Sequence, residues 1–130
     1  MLEADIEVAL TKVLVDSSVA LRWAFPNQDD SGSKPFGLVE IVRIQRRDDT
    51  MEGQQTISQG RMVVTVVDEL NKSTRAANTL ADSIAALFPM SSRIPVTGGE
   101  IVITKPADIR EGQRDGNTWR TPVLIDYEAQ

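Results

Sequence analysis

Two pairs of adjacent aspartates, Asp29-Asp30 and Asp48-Asp49, are the residues whose type and spacing come closest to a reactive site. Neighbouring carboxylates are hard oxygen ligands that suit magnesium or calcium. The chain contains no cysteine and no histidine, which excludes thiol nucleophiles, disulfides and imidazole ligands. Neither pair has the spacing of a calcium-binding loop. We interpret both pairs as solvated loop residues and keep a small binding domain or a metal-dependent hydrolase as an alternative.

The densest basic cluster contains three arginines within five residues, Arg43, Arg46 and Arg47. Such a cluster suits contact with an acidic partner or with DNA phosphates, or it marks the solvent end of a strand whose edge is protected by charge. The net charge of −5 argues against a dedicated DNA-binding protein. We predict that these arginines, with the adjacent Asp48 and Asp49, contact a partner or another subunit.

Serine and glycine pairs offer no catalytic alternative. Ser17-Ser18 and Ser91-Ser92 lack a histidine that would activate a hydroxyl. Gly98-Gly99 lacks the spacing and the following lysine of a phosphate-binding loop, so it predicts a turn. We therefore expect a protein without catalytic residues, without a cofactor and without a metal.

The length of 130 residues predicts one domain spanning residues 1–130. A chain of this size buries about two thirds of its unfolded surface, which is enough for one core without crosslinks. No segment approaches the ~20 consecutive apolar residues of a membrane span, and the acidic start of the chain is unlike a secretory signal. We expect a soluble protein made in a cytoplasm.

Hydrophobic periodicity predicts two amphipathic helices. The first covers about residues 3–16, and its acidic first turn suits the positive end of the helix dipole. The second is capped by Ser73 or Thr74 and ends before Pro89. The expected buried stripes are Ile6, Ala9, Leu10, Val13 and Leu14 in the first helix, and Ala76, Leu80, Ile84, Leu87 and Phe88 in the second.

Short apolar runs predict five strands, and in the first and the last of them apolar residues alternate with polar ones. The third is apolar on both faces, so we expect a central strand that is covered on part of its second side. Residues 26–35 and 48–55 form polar connections. The five strands are Val19–Phe25, Phe36–Arg46, Arg61–Asp68, Ile101–Thr104 and Thr121–Tyr127.

The last strand has the most informative pattern in the chain. Asp115-Gly116 predicts a tight hairpin turn before it, because a type I′ turn needs a positive φ at both central residues. Trp23 lies on the apolar phase of its strand and is expected in the core, whereas Trp119 fits either a core or an interface. The residues expected on the buried face of the last strand are Thr121, Val123, Ile125 and Tyr127.

The predicted element order is α-β-β-β-α-β-β. Consecutive strands with short connections usually pair antiparallel, and two helices with one apolar stripe each can cover one sheet face. We therefore predict an α+β fold with two layers, in which a mixed or antiparallel sheet of about five strands carries both helices on one face.

The order of these motifs resembles the tail terminator, or tail completion, proteins of long-tailed bacteriophages. The resemblance covers about residues 3–127, while residues 45–60 match nothing in that family. The segments that carry it are Trp23–Asn27, Ala76–Phe88, Gly98–Ile103, Asp115-Gly116, Trp119 and the Pro-Val-x-Ile-x-Tyr ending, Pro122–Tyr127.

The resemblance implies a role in virion assembly. Such proteins form a homohexameric ring on the last ring of the tail tube, stop polymerisation of the major tail protein and offer a docking face to the head–neck connector. It also implies a mixed sheet with two helices on one side and no catalytic residues. Genomic DNA would pass through the bore without sequence-specific binding. Assembly would occur in the cytoplasm of the bacterial host, without a membrane, and the protein would lie at the head–tail junction.

A related virion protein remains an alternative, either another head–tail joining protein or a subunit of the tail tube. A tube subunit needs a long hairpin that extends the sheet into the next ring. Residues 45–60 are the one candidate for such a hairpin.

Overall fold

The two helices and eight strands of the described chain are ordered α1, β1, β2, β3, α2 and β4 to β8. A computed structural model describes residues 3–17, 19, 22–24, 36–48, 56–69, 74–96, 99–116 and 118–130. The helices are α1 (Glu3–Val15) and α2 (Thr74–Ala86). The strands are β1 (Arg22–Ala24), β2 (Phe36–Asp48), β3 (Thr56–Glu69), β4 (Arg93–Val96), β5 (Gly99–Ile103), β6 (Asp108–Ile109), β7 (Gln113–Asp115) and β8 (Thr118–Ala129).

Strand β8 organises the sheet. It pairs antiparallel with β3 along its whole length, from Thr118 opposite Glu69 to Ala129 opposite Ser58. Its other edge pairs in turn with β7, β6 and β5, also antiparallel. The path through the sheet is β1-β2-β3-β8-β5-β4. The strand with the most informative sequence pattern therefore has partners on both edges.

Strands β2 and β3 form a long antiparallel hairpin. The polar connection between them, residues 49–55, lies outside the described residues. Their pairing is continuous except for a β-bulge between Arg43 and Gln45. Strand β1 runs parallel to the start of β2, with Arg22 opposite Phe36. The sheet is therefore mixed, and the expectation that consecutive strands pair antiparallel is wrong for β1 and β2. A parallel pair requires a crossover connection, and residues 25–35, which connect β1 to β2, lie outside the described residues.

The main core lies on one face of this sheet, where alternate residues of β3 and β8 meet side chains from both helices. Helix α2 contacts β3, β6 and β8, and α1 contacts β4. The buried face predicted for β8 is confirmed. The largest fully buried side chains of this core are Ile6, Leu10, Leu14, Met62, Ile84, Phe88, Ile101, Ile103, Ile125 and Tyr127.

A smaller cluster covers part of the opposite face. Val67 is fully buried against Ala24 and Phe36, whereas the adjacent Val66 belongs to the main core. Successive side chains of a strand point to opposite faces, so these two valines are buried on different sides of the sheet. This confirms that β3 is covered on part of its second side.

The buried stripe predicted for α1 is confirmed, but the stripe predicted for α2 is wrong at its first position. Ala76 is exposed, and Leu80 is only half-buried. The last turn closes with hydrogen bonds from Leu87 N to Ile84 O and from Phe88 N to Ala85 O, before Pro89. The residues of α2 and its last turn that are fully buried are Ala77, Ala81, Ile84 and Phe88, which recur every three or four residues.

Two glycines in the sheet lie directly beneath aromatic rings of neighbouring strands. A Cβ atom on Gly37 would lie 2.6 Å from Cε3 of Trp23, and one on Gly60 would lie 2.6 Å from Cζ of Tyr127. Each glycine is the cross-strand partner of its aromatic residue. The absence of a side chain therefore lets each ring lie flat on the sheet, which compensates for the weak strand propensity of glycine.

Trp119 also lies over a glycine, although Gly112 is outside the strands, and it packs against the main core. A Cβ atom on Gly112 would lie 2.6 Å from its Cε2, and the indole is partly buried against the core cluster. Of the two environments left open for Trp119, the structure shows the core.

The sheet differs from the predicted five-strand layout in its short strands and in the turn before β8. Strands β4, β6 and β7 were not predicted. Asp115 pairs with Thr118 inside the β7–β8 hairpin, so the tight turn begins one residue later than predicted. Gly116 occupies the first loop position with a φ of 61°, a conformation that glycine adopts without steric cost.

Candidate assembly surface

The residues predicted to contact a partner fall at the far end of the β2–β3 hairpin. Arg43 is exposed in β2. The backbones of Arg46, Arg47 and Asp48 continue this strand and pair with β3, while their side chains, and the whole of Asp49, lie outside the described residues. The arginine cluster is therefore a feature of one strand segment rather than of a loop.

The outer edge of this strand segment is open within the described chain. Strand β1 pairs only with Phe36, Gly37 and Leu38, and no other described strand pairs with the outer edge of β2 beyond them. An open edge presents backbone donors and acceptors to any strand or side chain that approaches it, and charged residues on such an edge limit unspecific pairing. The segment from Val39 to Asp48 is thus a candidate contact surface.

Two exposed apolar side chains accompany the arginines. Val42 is 48% exposed and Ile44 is 60% exposed. Ile41 packs against the main core, so alternation places Val42 on the opposite face of the sheet. Ile44 occupies the bulge between Arg43 and Gln45, where the extra residue changes the direction of the side chain.

A cavity of about 220 Å³ lies beside Ile44. The sequence did not predict it. It is formed where β2, β3 and the end of β8 meet the loop after β5. The lining residues that bear on its chemistry are Ile44, Gly60, Arg61, Lys105 and Asp126.

Two cations share one carboxylate in this cavity. Arg61 Nε donates a hydrogen bond to Asp126 Oδ1 at 2.7 Å, and Lys105 Nζ lies 3.8 Å from Asp126 Oδ2. The hydrogen bond to Asp126, followed by the charge of that carboxylate, raises the pKa of Arg61 above its ordinary value. The guanidinium therefore stays charged at every physiological pH, and the trio carries one positive charge in excess. The sequence did not predict that Arg61, Lys105 and Asp126 lie together, because only the strand register brings them close.

Comparison with known proteins decides the family. A family model described as phage tail terminator protein matches residues 2–127. The chain belongs to the phage tail terminator family. This confirms the resemblance drawn from the residue motifs, and it identifies a structural protein of the phage tail, located in the virion.

The fold of this tail terminator family member is shared with a solved protein structure of 20% sequence identity. The similarity has a TM-score of 0.82 and covers 100% of this chain and 96% of the other chain. At this identity the similarity shows a common fold alone. No curated protein matches the sequence significantly. Among the described residues, neither helix is long and apolar enough to cross a membrane.

The remaining candidates for chemistry in this tail terminator chain are the aspartate pairs and the serine pairs. Asp29 and Asp30 lie outside the described residues, and the described part of the chain contains no group of three acidic side chains that could hold a metal ion. Ser17 Oγ donates to the carbonyl of Leu14 at 2.6 Å, which caps the end of α1. Ser91 has a φ of 69°, as expected for a turn.

Proposed function

We propose that this protein caps the head-proximal end of the phage tail tube, stops its polymerisation and provides the docking face for the head–neck connector. The family match over residues 2–127 is the observation that carries the proposal. The protein would act as a homohexameric ring on the last ring of the major tail tube protein.

A terminator needs two different faces, because it must bind the growing end of the tube without presenting a new copy of that end. A ring also needs contacts between two unlike patches that close after a fixed number of copies. The open edge of β2 supplies one such patch. In this proposal Arg43, Arg46, Arg47, Asp48 and Asp49 lie at a contact with the tube or with a neighbouring subunit.

The net negative charge of the protein is compatible with the passage of DNA through a ring of its copies. DNA passes through the bore of a tail during ejection, and a basic lining would retain it through phosphate contacts. A net charge of −5 is compatible with a lining that releases DNA without sequence-specific binding. Assembly takes place in the cytoplasm of the bacterial host, before heads and tails join.

The test is removal of this protein from a phage that encodes it. We expect tails of uncontrolled length and heads without tails in electron micrographs of the lysate, and we expect the protein supplied in trans to restore both. A lysate without the protein in which tails keep their normal length and carry heads contradicts the proposed function.

The length of the β2–β3 hairpin favours a second candidate, a tail-tube subunit or another joining protein of related fold. The hairpin continues two residue pairs beyond the end of β8, to Arg47 opposite Ile57 and Asp48 opposite Thr56. Negative-stain images of the purified protein separate the candidates. A tube subunit forms long tubes, whereas a terminator forms single rings.

A further inference from the structure

The outward face of α1 carries two exposed valines. Val8 is 65% exposed and Val15 is 58% exposed. These residues are seven apart and therefore lie on the same side of the helix. Between them the hydroxyl of Thr11 donates to the carbonyls of Glu7 and Val8, at 2.9 and 3.1 Å. We call Val8, Thr11 and Val15 the helical patch.

Acidic side chains surround the helical patch. Asp5, Glu7 and Asp16 are exposed or half-exposed beside it, and a single lysine, Lys12, lies between Val8 and Val15 on the same face. Helix α2 provides the contrast, because none of its described exposed residues is a large apolar one. They are Arg75, Ala76, Asn78, Thr79, Asp82 and Ala86. An exposed apolar stripe with a charged border is typical of an interaction surface, whereas the outward face of α2 is typical of a helix in contact with water.

A second apolar patch has the opposite charge. Ile44 lines the cavity in which Arg61 and Lys105 outnumber their shared carboxylate, and Val42 is the cross-strand partner of Arg61. We call Val42, Ile44, Arg61 and Lys105 the sheet patch. Within the described residues five large apolar side chains are exposed, and four of them belong to these two patches, the fifth being Met90. The exposed apolar surface is therefore concentrated in two places of complementary charge.

The two patches are far apart in the sheet order. Helix α1 contacts β4, which is the last strand on one side of the path. Strands β5, β8 and β3 lie between β4 and β2, which carries the sheet patch. Unlike patches at separate positions of one molecule produce head-to-tail contacts, the kind from which closed rings are built.

We propose that the helical patch of one copy packs on the sheet patch of the next copy, with the acidic border of α1 facing Arg61 and Lys105. The inference rests on the proposed function, because it names the contact that closes the terminator ring. Val8 and Val15 cover Val42 and Ile44, and burial of these four side chains removes most of the large apolar surface that the described residues expose. The acidic border directs the approach toward the cavity with the excess positive charge.

Thiol crosslinking tests this contact in the intact protein, because the chain contains no cysteine. We would compare V8C/I44C with the two single variants and with V8C/M90C, whose second thiol lies at the exposed apolar site outside both patches. After treatment with a short bis-maleimide, the double variant V8C/I44C is expected to give a ladder of covalent oligomers above the dimer. Each single variant stops at the dimer, since one thiol per copy joins only two copies.

Charge exchange provides a second measurement that does not depend on crosslinking geometry. We expect Glu7→Lys and Lys105→Glu each to reduce the assembled fraction severalfold in sedimentation velocity, and the combined variant to recover most of it. Recovery in the combined variant distinguishes a direct contact from a folding defect, because a misfolded variant is not restored by a second charge reversal.

Two results overturn the inference in different ways. If the wild-type protein forms rings but V8C/I44C gives no more oligomer than V8C/M90C and the charge exchange does not recover assembly, this contact is wrong and the terminator function stands. If the wild-type protein neither assembles alone nor on isolated tails, and its removal leaves tails normal, the proposed function fails and the contact with it.

Discussion

Two buried threonines of β8 differ in whether the side-chain hydroxyl is hydrogen-bonded, so each serves as a control for the other. Thr121 is fully buried, and its hydroxyl has no hydrogen-bond partner among the described residues. Thr118 is also buried, but its hydroxyl donates to the carbonyl of Asp115 at 2.7 Å. A buried hydroxyl without a partner loses its hydration and gains nothing in return, whereas a bonded hydroxyl stabilises the fold.

We expect Thr121→Val to raise the free energy of unfolding by about 1 kcal/mol, because a methyl group of similar shape replaces the unsatisfied hydroxyl. Thr118→Val is the control and is expected to lower it by about 1 kcal/mol, since a hydrogen bond is lost. Urea denaturation followed by circular dichroism measures both. Equal losses of unfolding free energy in the two variants would contradict the difference in hydrogen bonding between the two hydroxyls.

The close approach of Tyr127 to Gly60 leads to a second prediction at the residue scale. We expect Gly60→Ala to destabilise the protein by roughly 1–3 kcal/mol, because the added methyl group overlaps the phenol ring. The double variant with Tyr127→Leu should cost less than the sum of the two single changes, since a smaller side chain relieves the overlap. Additive costs in a denaturation cycle would show that the ring does not limit this position.

At the scale of elements, sequence reasoning succeeded where periodicity is long. Helix α1 and strands β2, β3 and β8 each contain enough residues to show a repeat, and each was predicted. Strands β6 and β7 contain two and three residues, which is too few for any pattern. They are strands because the second edge of β8 supplies partners, and that information lies in the tertiary structure rather than in the segments themselves.

The candidate surface was predictable only in part. Arg43, Arg46 and Arg47 are close in sequence and lie in the strand segment whose outer edge is open within the described chain, and their contact with a partner stays a prediction. The bulge at Ile44 and the pairing of Arg61 with Asp126 have no local signal, because they depend on the register of β2, β3 and β8. The error at Ala76 has a simpler cause, since alanines at positions 76 and 77 allow two similar helical stripes and only packing selects one.

The two-sided pairing of β3 leads to a prediction about elements. Val64 lies between Val39 of β2 and Val123 of β8, so Val64→Pro removes a ladder hydrogen bond in the interior of the sheet. We expect a loss of about 3 kcal/mol or more, visible as unfolded or insoluble protein. Arg93→Pro is the control, because it alters the first residue of the terminal strand β4, where proline is tolerated. Similar losses at both positions would contradict the inferred centre of the sheet.

At the scale of the whole molecule, complementary patches predict how assembly depends on salt. The Debye length falls from about 10 Å at 0.1 M salt to about 3 Å at 1 M, which screens attraction between exposed charges. We therefore expect the assembled fraction in sedimentation velocity to decrease with sodium chloride without vanishing, because the apolar contact persists. Assembly that strengthens steadily with salt would indicate a contact without charge complementarity.

The I44K variant should abolish assembly at every salt concentration while leaving the free energy of unfolding within about 0.5 kcal/mol of the wild-type value, because Ile44 is exposed.

The central position of β8 has a consequence for biosynthesis. A nascent chain emerging from the ribosome exposes β3 before Thr118–Ala129 are available to pair with it. Until those residues arrive, β3 lacks one of its neighbours, β5 can pair only with β4, and the short strands β6 and β7 have nothing to join. Pairings between residues so distant in sequence form slowly. Unfinished polypeptides therefore cannot adopt the fold on which assembly depends, so only molecules that have completed translation through this strand can compete for the end of a growing tail.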